Sequence, residues 1–294
     1  LSNQRAAVVA PKSTAVHGTT PPLFVVPGYN GIAELPPALI AHIRRVRPVY
    51  SSLRYPGLRP GETPLETVEE LAAFVAREIK AIYPEGPYGL CGYSFGGLVA
   101  FEAACQLVAQ GFAVDALVMW ESYFIQPAHF INLSLVGAMR ELQKRLKWRS
   151  PRARWRFLWI LAQNQWKIAL TKISKKQRRL SAKVFGKGND RLKASLVESA
   201  EDVVARASGR AEWAYKPKTF TGDAVFFCAS EIGGVFRMPA QPKEGGGWRS
   251  VMTGRFEVVE IQGHHLDLFE EPGIQILGEK TVAWLKNNVA TELP

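Results

Sequence analysis

The chain has 294 residues, of which 47% are hydrophobic and 21% charged, and a formal net charge of +11. That balance describes a globular protein with a sizeable core and excludes a chain disordered along its whole length. Three cysteines, Cys91, Cys105 and Cys228, lie in apolar surroundings without metal-ligand spacing, so they read as buried reduced thiols of a cytoplasmic protein.

The chain opens on Leu1, and residues 1–20 mix polar and small side chains without the basic-then-apolar layout of a signal peptide. They are expected to be a leader or linker joined to a longer chain. A short β-rich run, Leu23 to Val26, ends at Pro27-Gly28. Helical spacing follows over Glu34 to Arg45, then a strand signal over Pro48 to Leu53. Thr67 to Ile82 has apolar Val68, Leu71, Ala72, Val75, Ile79 and Ile82 three and four apart, which predicts an amphipathic helix. Strand Tyr88 to Cys91, helix Phe95 to Gln110 and strand Val114 to Trp120 come next. After about a hundred residues with no strand signal, strands are expected at Ala224 to Cys228 and Phe256 to Ile261, and a helix at Ile276 to Asn288. Strand-helix alternation predicts an α/β fold with a mostly parallel central sheet flanked by helices.

The long gap is far more than a crossover needs, so the core is expected over 21–122 and 212–294, with a helical insertion over 123–211. Trp155, Trp159 and Trp166 fall on one helical face of that insertion, as core packing of a helical subdomain would require. Between Arg140 and Lys193 stand eighteen Lys and Arg against two acidic residues, a local charge of +16 that leaves the remainder of the chain net negative. A field of that strength suits an acidic partner. Nucleic acid is the competing reading, but no base-reading motif accompanies the charge. An anionic membrane surface is a third, since the pattern is amphipathic, although no uncharged stretch is long enough to span a bilayer. The only low-complexity segment is a mild one, Gly245 to Gly247.

Ser94 sits between Gly92 and Gly96 where a strand pattern hands over to a helix pattern. A nucleophile elbow requires that context, because the turn is tight and neighbouring backbone passes close to the two flanking positions. The bland alternative is a serine in an ordinary strand-to-helix turn. A nucleophilic serine needs a base and an orienting acid, in the chain order serine, acid, histidine. His264 and His265 follow the last strand and would reach the same sheet edge, while His17 and His42 precede the serine and His129 opens the insertion. Two carboxylates follow strand ends, Glu121 and Glu231; Asp267 reads as a local loop or cap residue.

The segments PPLFVVPGYNG (21–31), IYPEGPYGLCGYSFGG (82–97), ALVMWESY (116–123), YKPKTFTGDAVFFCAS (215–230) and GRFEVVEIQGHHLDLF (254–269) together resemble a known family. It comprises the α/β-hydrolase thioesterase domains that release products from nonribosomal peptide synthetases, polyketide synthases and animal fatty-acid synthases. The resemblance implies an α/β-hydrolase fold with the insertion as a helical lid. Ser94 is then the nucleophile, His265 the base and Glu121 the acid, although most members carry aspartate there, which keeps Glu231 as the alternative acid. The backbone N–H groups of Tyr29 and Phe95 would form the oxyanion hole, in a loop that begins Pro27-Gly28 where many members have histidine. The implied reaction is release of an acyl, polyketide or peptidyl chain from a carrier-protein phosphopantetheine thioester through a serine acyl-enzyme, by hydrolysis or macrocyclisation. It needs no metal and no bound cofactor. Its partner is an acyl or peptidyl carrier domain, and the basic insertion would attract that acidic domain. Two rivals stand beside it. One is a stand-alone editing thioesterase of type II, against which the polar leader counts. The other is a catalytically dead hydrolase-fold binding domain, against which intact Ser94 and His265 count.

Overall fold

A computed structural model describes residues 20–124, 198–231, 245–264 and 267–288. Strand β1 (Leu23–Val25) lies between β2 (Val49–Tyr50) and β3 (Tyr88–Tyr93), and β4 (Val114–Trp120), β5 (Ala224–Glu231) and β6 (Phe256–His264) follow outward from β3. Every neighbouring pair is parallel. The chain leaves β1 in one direction and later continues from β3 in the other, so strand order reverses between them. The loops leaving the carboxyl ends of β1 and β3 diverge there and open a crevice.

Among the described residues five helices cover the sheet: α1 (Pro37–Ile43), α2 (Val68–Ile82), α3 (Phe95–Ala109), α4 (Ala200–Ala214) and α5 (Gly273–Asn288). Right-handed crossovers running in opposite directions put α1 on one face and α2 and α3 on the other. In keeping with this, α1 packs on α5, whereas α2, α3 and α4 pack together. Burial on both faces explains why the strands read as unbroken apolar runs: Leu23, Phe24, Leu90, Cys91, Leu117, Val118, Phe226 and Phe227 are all fully buried. All three cysteines are buried and free, and burial pushes the thiols of Cys105 and Cys228 up to about 12, far from reactive thiolates.

Helix α2 starts where its sequence dictates. Thr67 accepts from the Glu70 amide at 3.1 Å, and the Glu70 carboxylate accepts the Thr67 amide at 3.2 Å, a capping box. Helix α1 begins at Pro37 and not at the expected Glu34, because Pro36 holds an extended conformation and proline is tolerated only in a helix's first turn. Strand β2 is much shorter than Pro48 to Leu53. Beyond Tyr50 the chain leaves the sheet to brace the loop after β1: Ala33 donates to the Leu53 carbonyl at 3.2 Å and Tyr55 to the Gly31 carbonyl at 2.9 Å. Strands β5 and β6 run past their expected ends, to Glu231 and His264.

Residues 200–211, which the sequence pattern assigns to the insertion, form most of α4 and belong to the same compact unit as the sheet. The chain after α4 is fastened to α3 through Glu102, which is fully buried. Its carboxylate accepts from the Tyr215 hydroxyl at 2.8 Å and from Gln106 at 2.9 Å, with the Lys218 ammonium 3.8 Å away. The tryptophans 155, 159 and 166 and the basic run from Arg140 to Lys193 lie outside the described residues.

Candidate active site

Ser94 follows β3 and stands at the N-terminus of α3, with φ 51° and ψ −120°. Such a conformation strains any residue with a Cβ, by about 1–3 kcal/mol, and persists only where surrounding packing dictates it. The packing here leaves no room for a Cβ at three neighbouring positions. A Cβ at Gly92 would collide with the Gly96 carbonyl and the Gly97 amide, one at Gly96 would lie 2.7 Å from the Val26 carbonyl oxygen, and one at Gly97 would lie 2.5 Å from the Ser122 Cβ. The glycines therefore hold the elbow closed, and the turn cannot relax by moving apart. A serine at a helix N-cap ordinarily spends its hydroxyl on the exposed amides of the first turn. The Ser94 hydroxyl makes no such bond. It stays half-buried at the mouth of the crevice.

That crevice is a cavity of about 310 Å³ at the switch point between β1 and β3, lined among others by Gly28, Tyr29, Asn30, Glu34, Tyr93 and Ser94. Tyr29 stacks on Phe95, ring centroids 4.7 Å apart. Among the described residues neither the Tyr29 nor the Phe95 amide has a protein acceptor, and both residues line the cavity with Ser94. Two N–H donors without an acceptor among the described residues thus stand beside a hydroxyl, at the positive end of α3. The loop that carries Tyr29 is held by a residue the sequence pattern did not single out. Tyr55, fully buried, donates its hydroxyl to the Pro27 carbonyl at 2.9 Å. Burial holds its phenol well above the ordinary value, so it remains a donor.

Glu121 is the second residue of interest. Among the described residues only Ser94 and Glu121 adopt positive φ without being glycine, Glu121 at 49°. The two turns are bonded neighbours: the Ser94 amide donates to the carbonyl of Trp120 at 2.9 Å, and the Glu121 amide donates to the Phe227 carbonyl at 2.8 Å. The Glu121 side chain is 2% exposed. Its Oε1 accepts a very short hydrogen bond from the Ala229 amide, at the end of β5, and the Tyr123 hydroxyl stands 3.5 Å from the same oxygen. The Tyr93 and Tyr123 phenols flank this carboxylate, and both are held well above their ordinary value, first by burial and then by the Glu121 charge. Among the described residues no group of three or more His, Cys, Asp or Glu is arranged to hold a metal ion.

Of the other expected residues, the backbones of Glu231 and His264 lie further along the sheet edge. Glu231 ends β5 and is in register with His264 on β6. His265 lies outside the described residues, as do the side chains of Glu231, His264 and Asp267. The structure therefore brings together Ser94, the Tyr29 and Phe95 amides and the Glu121 turn, all at the carboxyl edge of the sheet.

The sequence of residues 21–132 matches the model of the thioesterase-domain family. In these residues the chain is similar to thioesterase domains. Its similarity extends beyond them. A dimodular nonribosomal peptide synthase of Bacillus subtilis (strain 168) is 28% identical over 265 residues, which cover 88% of this chain and 10% of the relative. The chain thus spans about a tenth of that relative's length. Among solved structures, the RedJ thioesterase of the prodiginine pathway in Streptomyces coelicolor superposes with a TM-score of 0.54 at 21% identity, covering 90% of this chain and 89% of that one. The type II thioesterase BorB from the borrelidin cluster gives a TM-score of 0.56 at 19% identity, covering 92% and 93%. At these identities the structural likeness establishes the α/β-hydrolase fold. No described helix is long and apolar enough to cross a membrane.

Proposed function

We propose that the chain is a serine thioesterase that cleaves an acyl or peptidyl thioester presented on the phosphopantetheine arm of a carrier domain. One observation carries this reading: a serine strained to φ 51°, its hydroxyl unspent on capping, beside two amides that have no acceptor among the described residues, at a switch-point cavity. The Ser94 oxygen attacks the thioester carbonyl carbon as its proton passes to the His265 imidazole. The amides of Tyr29 and Phe95 receive the negative charge that develops on the carbonyl oxygen. The carbon–sulfur bond then breaks, and the thiolate takes the proton back from the imidazolium. Water, with His265 again as base, hydrolyses the acyl-serine to an acid; a nucleophile within the acyl chain would instead give a ring. Glu121 orients the imidazole and stabilises its charged form.

Glu121 is preferred to Glu231 as the acid because it combines burial, positive φ and a turn bonded to that of Ser94. Kinship with a nonribosomal peptide synthase supports release of a product from an assembly line. Coverage of 93% of a type II thioesterase supports the second reading, an editing enzyme that clears carriers. Both readings use the same site. The test is intact-protein mass spectrometry after exposure to a fluorophosphonate. The expected result is a single adduct on Ser94, absent in Ser94→Ala, together with a fall of at least about 10⁴-fold in pantetheine-thioester turnover in that variant. An adduct that survives Ser94→Ala, or turnover that persists, would remove the proposal.

A further inference from the structure

The triglycine Gly245–Gly247 and the tyrosine after the Glu121 turn have no part in the reaction as set out above, yet they form one assembly. All three glycines have positive φ, at 82°, 60° and 91°. They lay their backbone against residues 122–124, which directly follow Glu121. The Phe124 amide donates to the Gly246 carbonyl at 2.8 Å, and the Trp248 indole N–H donates to the Ser122 carbonyl at 2.5 Å. A Cβ at Gly246 would stand 2.8 Å from the Phe226 ring and 3.1 Å from the Tyr123 ring, and one at Gly247 would stand 2.5 Å from the Phe124 carbonyl oxygen. Any other residue at Gly246 would push on the Tyr123 ring, which already meets Phe226 edge-on at 5.2 Å. Trp248, fully buried, anchors the turn against Phe101 and Phe124, with ring centroids at 4.7 and 5.7 Å.

We propose that the Gly245–Trp248 turn is a buttress for the proposed catalytic acid. It holds the Tyr123 hydroxyl 3.5 Å from Glu121 Oε1, the same oxygen that accepts from the Ala229 amide, and so restricts how this carboxylate can turn. Tyr123 is thus a positioning residue. It acts through Glu121 and touches no substrate. Burial and the Glu121 charge keep its phenol protonated throughout the working pH range, so the donor is always present. A carboxylate with two donors on one oxygen is restricted in how it can turn, and orientation of this kind affects rate more than substrate binding. The inference rests on the thioesterase reading above. It adds that the glycine run, which is mild low complexity in the sequence, is built for the site.

The test uses the whole chain and an acyl-pantetheine thioester. Tyr123→Phe retains the ring and its packing on Phe226. The expected outcome is a kcat about tenfold lower, with KM and Tm unchanged and the acid limb of the kcat/KM pH profile moved to higher pH, since a carboxylate stripped of a donor stabilises imidazolium more. Gly246→Ala should lower kcat in the same direction by displacing the ring. In the Glu121→Gln background, Tyr123→Phe should have no further effect on kcat. Unchanged kcat and pH profile in Tyr123→Phe would overturn the inference, as would a loss equally large in the Glu121→Gln background. If Glu121→Gln itself is fully active, the assignment of the acid fails first, which separates the two failures.

Discussion

At the start of β4, Asp115 grips the Arg47 guanidinium with both oxygens at 2.7 and 2.8 Å; just past the end of the same strand, Glu121 lies 2% exposed with one oxygen engaged by Ala229 and Tyr123. The Arg47 side chain, 1% exposed, also donates to the carbonyls of Pro21 and Pro22, pinning the chain where it enters β1. Both ends of one strand therefore carry a carboxylate out of the solvent. They differ in backbone and in partners. Asp115 sits on ordinary backbone against a cation, whereas Glu121 sits at positive φ against neutral donors, bonded through Trp120 to the equally strained Ser94. A buried charge matched to an opposite charge on relaxed backbone holds the fold together. A buried carboxylate on strained backbone, in a turn bonded to that of Ser94, is the arrangement the proposed function uses.

The contrast can be broken by mutation. Asp115→Asn leaves the Arg47 charge buried without its partner and should lower the unfolding free energy by about 3–5 kcal/mol, read as a shifted urea midpoint. Turnover per folded molecule should stay unchanged. If Asp115→Asn lost activity at full stability, the division between a structural and a working edge of the sheet would not hold.

A smaller effect comes from Glu212 on α4, where burial alone lifts the carboxyl from 4.5 to about 7. Below its ordinary value both folded and unfolded chains bind the proton, and stability is unaffected. Between about pH 4.5 and pH 7 the unfolded chain ionises while the folded one keeps its proton, so stability falls as pH rises through that window and levels off above it. Glu212→Gln should remove this part of the slope in urea titrations across the same window. A slope identical in the variant would show that burial without donors does not set the behaviour of this carboxyl. That would weaken the reading of Glu121 as a group held by its donors.

The two ends of β4 were not equally legible in the sequence. The elbow was, because its strain is written in residue type: Gly92, Gly96 and Gly97 are required by close contacts that any Cβ would break. Strand β4 was read from Val114 to Trp120 as found, because burial on both faces leaves an unbroken apolar run. The Glu121 conformation was not legible, since no glycine marks it. Its donors come from Ala229 and Tyr123, and the first of these is brought close only by the pairing of β4 with β5. Tyr55 and Arg47 were likewise invisible, because each makes bonds to backbone 25 or more positions away in the chain. The short β2 and the late start of α1 share one cause. Pro36, Pro37 and the segment up to Tyr55 shape the loop carrying Tyr29, and no strand or helix pattern records that task. The triglycine looked like loose sequence, but its backbone lies against Tyr123 and Phe124.

The central claim is that the carboxylate at the end of β4, and not the one at the end of β5, completes the site around Ser94. It is tested most directly by kcat/KM of Glu121→Gln and Glu231→Gln on one acyl-pantetheine thioester, each shown to be folded. The account predicts a loss of about 10⁴-fold in Glu121→Gln and less than about tenfold in Glu231→Gln. The reverse order would contradict it.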